Sequence, residues 1–164
     1  RVVLAALLLA ILRHDSALLL APIPALAGDD ALEVEGAWVR AVPPVSPMTA
    51  GYLVLRNPGP DARSLVGARS PQYREVELHR TVSREGVARM VRQTAVEISP
   101  GGELVLEPGS YHLMLIDPVA PLRPGDPVEL FLQLADGAVV PATATVREGG
   151  GGMDHAHHHH HNHQ

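Results

Sequence analysis

Four side chains that favour soft or borderline metal ions stand at fixed spacing: His79, Met90, His112 and Met114, with ten, twenty-one and one residues between successive members. Between Gly28 and Gly152 there are two histidines, and both belong to this set. Of the three methionines in that stretch, Met48, Met90 and Met114, two belong to it. Imidazoles and thioethers with no thiolate suit monovalent copper better than zinc, iron or a hard cation. Two neutral imidazoles and two thioethers leave the charge of such an ion intact and are readily outcompeted by a partner's ligands, as a carrier requires. A blue-copper electron-transfer centre needs a cysteine thiolate, and the chain has no cysteine. Methionines are poor zinc ligands. No evident acid, base or nucleophile accompanies the four, so the pattern reads as a binding site and not as an enzyme's. Met48, in a proline-rich stretch, reads as ordinary loop or core filling.

Strands are the elements that can bring these residues together. Alternation places His112 and Met114 on one side of a strand and Tyr111, Leu113 and Leu115 on the other, toward the core. Ser83-Arg84-Glu85-Gly86 reads as a hairpin turn between the strand of His79 and that of Met90. A two-residue loop at Arg84-Glu85 sets residue 79 opposite 90, with Cβ atoms ~4.5–5.5 Å apart. A glycine bulge at Gly86 is the alternative and shifts the register by one residue, which would put the two ligands on opposite faces.

Short apolar runs broken by Pro and Gly fill the rest of the body. Strands are expected at Ala31–Val39, Ala50–Arg56, Ser64–Ala68, Glu75–His79, Val87–Val91, Glu103–Leu106, Tyr111–Ile116, Pro127–Leu134 and Val139–Val146. Fifteen prolines disfavour long helices. The fold class is therefore all-β, a two-sheet antiparallel β-sandwich. Asp61, Arg63, Arg69, Arg74, Glu75 and Glu77 read as its solvated faces, Arg89 and Arg92 as exposed strand positions beside Met90, and Asp117 and Asp126 as turn residues.

Composition sets the context. The hydrophobic share of 46% supplies a core, built from Val, Leu and Ala because aromatics make up only 3%. A net charge of -5 argues against a nucleic-acid partner. Residues 1–27 read as an export signal ending at Ala25-Leu26-Ala27, with an uncleaved membrane anchor as the alternative; the break at Arg13-His14-Asp15 interrupts the ~20 apolar residues that a span needs. On this reading residues 28–148 are the folded domain, working in a periplasmic or other extracytoplasmic space. Residues 149–164 are a glycine linker and a histidine-rich tail. Met153, His155, His157, His158, His159, His160, His161 and His163 are its candidate accessory metal ligands, suited to divalent copper. The run is interrupted by Ala156 and Asn162, unlike a plain six-histidine tag, although a tag remains the other reading.

The spacing of the four ligands resembles the signature of the periplasmic PCu(A)C copper chaperone family. Ala37-Trp38-Val39-Arg40-Ala41, Ala50-Gly51-Tyr52-Leu53, Glu77-Leu78-His79, Pro108-Gly109-Ser110-Tyr111-His112-Leu113-Met114-Leu115 and Pro121-Leu122-Arg123-Pro124-Gly125-Asp126 resemble that family too, so the similarity spans roughly Leu32 to Arg147. The resemblance implies a cupredoxin-like β-sandwich holding Cu(I) at an exposed edge. It also implies delivery of that ion to copper sites of respiratory cytochrome oxidase, with an apo copper domain of the oxidase or another copper chaperone as partner. Many relatives carry a further methionine soon after the first histidine, where this chain reads His79-Arg80-Thr81; some carry a His- and Met-containing extension like this tail. Two rival readings are a metal-buffering or storage protein acting mainly through the tail, and a metal-free sandwich serving as a scaffold.

Overall fold

The computed structural model describes residues 31–149, which are all β-structure and turns. The proposed export signal and the histidines of the tail lie outside the described residues. Ten strands follow in order: β1 Glu33–Arg40, β2 Met48–Arg56, β3 Arg63–Arg69, β4 Tyr73–Arg84, β5 Val87–Arg92, β6 Val96–Ile98, β7 Glu103–Leu106, β8 Tyr111–Pro118, β9 Pro127–Leu134 and β10 Val139–Arg147. All nine expected strands are present. β6 is the addition: three residues are too short to show alternation, and β6 is held by pairing Val96 with Leu65 and Ile98 with Arg63. The buried Asn57 side chain also donates to the carbonyl of Ile98 at 3.1 Å.

The strands are hydrogen-bonded into one continuous sheet in the order β5-β4-β8-β7-β2-β1-β10-β9-β3-β6, with β8 also pairing β2. The all-β, cupredoxin-like reading stands, with a difference in connectivity: the two expected sheets are joined. β1 makes the join. Residues Trp38–Arg40 pair in parallel with Thr145–Arg147 of β10, while Trp38 and Val39 also pair with β2. An irregularity between Glu35 and Trp38, at Gly36 with φ 60°, bends the strand enough to serve both neighbours. β7–β8 is the other parallel contact.

Folding this sheet on itself encloses a single apolar core. Leu78, Leu113 and Leu115 from β4 and β8 meet Leu65, Val128, Leu130 and Leu132 from the opposite half in one buried cluster. Each fully buried leucine contributes on the order of 1.5–3 kcal/mol. Alternation along β9 shows the same logic, since Val128, Leu130, Leu132 and Leu134 are buried and the residues between them are more open. β8 packs closely on β2 where Gly51 pairs with Leu113; a Cβ at Gly51 would stand 2.9 Å from Leu115 Cδ1. Leu78, Leu113 and Leu115 thus fix the inner face of β4 and β8 and commit the alternate residues to the outer face.

Candidate metal centre

That outer face carries the histidines. β4 and β8 are antiparallel with His79 directly opposite His112 and Glu77 opposite Met114, so all four side chains share a face. The imidazole ring centres lie 5.8 Å apart with planes inclined by 57°. Two such rings can share one ion at metal–nitrogen bonds of ~2 Å. His112 is 3% exposed and Met114 8% exposed, although they are on the side of the sheet away from the leucine core. The outer face continues onto β2 through Ala50, which pairs with Met114, and Tyr52, whose ring lies 4.6 Å from that of Trp38.

Met90 shares the face but not the expected register. The hairpin turns through Glu85 and Gly86, with φ of 53° and 78°, and Arg84 pairs with Val87. Two successive residues at positive φ are what the tight hairpin turn with the right twist demands, and glycine fits its second position. The loop is therefore Glu85-Gly86 and not Arg84-Glu85, with no one-residue slip. Thr81 faces Met90, and His79 faces Arg92. A shift of two residues preserves the face and leaves Met90 diagonal to His79, within the ~7–8 Å that long side chains bridge. β5 is an edge strand, and Met90 is 61% exposed.

The polar groups around the imidazoles are unequally satisfied. His112 Nδ1 lies 3.1 Å from the carbonyl oxygen of Ser110. A carbonyl only accepts, so Nδ1 carries the proton and Nε2 keeps its lone pair. His112 Nε2 is buried with no partner, and so is His79 Nδ1. These are the two buried side-chain polar atoms left unsatisfied among the described residues. Burial holds the His112 pKa below the ordinary imidazole value; the hydrogen bond to Ser110 opposes this, and the neighbouring His79 adds to it. Neutral imidazole is the form that binds a metal.

Glu77 is a correction to the sequence reading. Its carboxylate is not freely solvated, because its Oε2 accepts from His79 Nε2 at 2.7 Å and its Oε1 from an Arg92 guanidinium nitrogen at 2.6 Å. The hydrogen bond from His79 is the main cause of a lowered Glu77 pKa, with Arg92 contributing and desolvation opposing. Its position two residues before His79, hence on the same strand face, was the available signal. Arg92 is exposed on β5, as expected, and pairs with Glu77 from there. Among the described residues no three His, Cys, Asp or Glu side chains form a metal-holding group. Met114 and Met90 place thioethers on the same face as the imidazoles. Met48 pairs with Ile116, half exposed, one row beyond Met114.

Known proteins share both the sequence and this architecture. A family model described as LpqE-like matches residues 32–146. Lxx21020 of Leifsonia xyli subsp. xyli, which carries the name of a lipoprotein, is 33% identical over 120 residues, covering 73% of this chain and 71% of its own length. The solution structure of apo-DR1885 from Deinococcus radiodurans is 32% identical with a TM-score of 0.58, covering 89% of this chain and 99% of that one. The copper-bound PCuAC domain from PmoF2 has a TM-score of 0.61 over 74% of this chain and 94% of its own; at 22% identity it speaks to the fold. The fold is that of a PCuAC-type β-domain. The chain belongs to the LpqE-like family, which is PCuAC-related.

Proposed function

We propose that this chain is an extracytoplasmic copper chaperone that binds one Cu(I) through His79, His112, Met114 and Met90. The observation that carries this reading is the pair of buried, unpartnered imidazole nitrogens on adjacent strands, with a buried thioether in the next row of the same face. An unpaired buried acceptor costs ~1–3 kcal/mol. A bound cation removes that penalty, and soft neutral donors select a soft monovalent ion. Met90, on the exposed edge strand, is the ligand a partner reaches first. A carrier can release its cargo by exchanging that thioether while the buried ligands still hold the ion.

Relatives support the reading. DR1885 has been solved with Cu(I) bound, at 32% identity to this chain over 70% of its length. The lipoprotein name of Lxx21020 agrees with work outside the cytoplasm. Delivery to the copper sites of a respiratory cytochrome oxidase is the proposed destination, with the histidine tail as an accessory binder of divalent copper. The experiment is anaerobic transfer from the Cu(I)-loaded protein to an apo oxidase copper domain, followed by separation of the two proteins and measurement of the copper each holds. Transfer of one equivalent is expected. Binding of several ions without transfer would favour buffering through the tail instead.

A further inference from the structure

The geometry points to Glu77 as the positioning residue that selects which nitrogen His79 offers to a metal, with Arg92 holding Glu77 in place. This inference rests on the copper-binding reading above. The two imidazoles differ in what they leave free. His112 is anchored through Nδ1 to Ser110, leaving Nε2, whereas His79 is anchored through Nε2 to Glu77, leaving Nδ1. The first anchor is a backbone carbonyl and cannot change character. The second is a side chain, and its identity decides the tautomer.

Carboxylate oxygens accept hydrogen bonds and cannot donate while ionised. Glu77 Oε2, 2.7 Å from His79 Nε2, therefore keeps the proton on Nε2 and the lone pair on the buried Nδ1. Arg92 donates to the other oxygen, Oε1, from the position on β5 directly opposite His79. The carboxylate is thus clamped from both sides, and β4 is tied to the edge strand that carries Met90. Carboxylates behind metal-binding histidines orient the ring and raise its basicity, and losing one typically costs ~10–100-fold in metal affinity.

Glu77→Gln tests this with almost no change of shape. Arg92 only donates, so it draws the amide oxygen of Gln and turns the amide NH2 toward His79 Nε2. That nitrogen must then accept, and the proton moves to Nδ1, which blocks the donor. The measurement is the ring 15N spectrum of His79 in the full-length apo protein, with His79→Gln to assign the signals. The wild type is expected as the Nε2–H tautomer and Glu77→Gln as largely Nδ1–H. Glu77→Gln combined with Arg92→Ala frees the amide to rotate and should return the Nε2–H form. Sub-stoichiometric Cu(I), which is diamagnetic, should shift His79 Nδ1 and His112 Nε2 in the wild type, and Glu77→Gln should weaken binding at these rings by ~10–100-fold. An unchanged His79 tautomer in Glu77→Gln would overturn the proposal. If Cu(I) shifts neither ring in the wild type while the tautomer responds as described, the copper reading fails and the control by Glu77 stands.

Discussion

His112 combines two properties that ordinarily exclude one another: it is buried, and one of its nitrogens has no partner. Its lowered pKa has a consequence for stability. Between the depressed folded value and the ordinary value of about 6.5, the unfolded chain takes up a proton that the folded chain refuses. Stability there rises with pH. The contribution of His112 is complete above that ordinary value and is lost as pH falls through the folded one. Urea midpoints of the metal-free protein should therefore drop on acidification below about pH 6.5, and His112→Gln should flatten that part of the profile. An identical slope in the variant would refute the assignment. The grouping of His79, Met90, His112 and Met114 is a reading of the sequence, from the rarity of their types in the body and their spacing; the structure adds that they share one face of β4, β5 and β8. The pairing of Glu77 with His79 and Arg92 could not be read from the sequence, since a charged residue on a strand looks solvated until the register shows what lies across from it.

The β4–β5 hairpin carries Met90 to the site, and its turn decides the register. Glu85 and Gly86 both need the left-handed region. A side chain at Gly86 costs about 1–2 kcal/mol, although a Cβ there meets nothing within 4 Å. Gly86→Val should lower stability by about that amount and weaken Cu(I) binding by displacing Met90, which combined denaturation and chelator-competition measurements would reveal. Weaker binding without loss of stability would contradict the strain argument. In the core, Leu78→Ala should cost ~2–5 kcal/mol by undercutting the strand that bears His79. Strand positions were readable from alternation, and β7 and β9 match the expected bounds residue for residue. The hairpin register was open because Ser83-Arg84-Glu85-Gly86 admits more than one loop, and only the pairing of Arg84 with Val87 resolves it. The union of the sheets through β1 was hidden as well. It depends on a bend at Gly36 and on a parallel partner more than a hundred residues away in the chain.

The fold places a rigid leucine core behind one face of β4 and β8 and leaves the opposite face for the site. Binding to the native state alone must raise stability, by about 2.7 kcal/mol when free ligand is 100 times Kd. Cu(I) should accordingly raise the Tm of the wild type and leave that of His79→Ala/His112→Ala nearly unchanged. Removing residues 149–164 should reduce the stoichiometry of divalent copper and leave one monovalent equivalent; unchanged divalent stoichiometry would count against a metal role for the tail. The most direct test is anaerobic titration of Cu(I) into the full-length protein in competition with a chromophoric chelator, beside a His112→Ala/Met114→Ala double variant. One tight equivalent in the wild type and its loss in the variant is the predicted result. A tight equivalent that survives in the variant would contradict a copper site on β4 and β8.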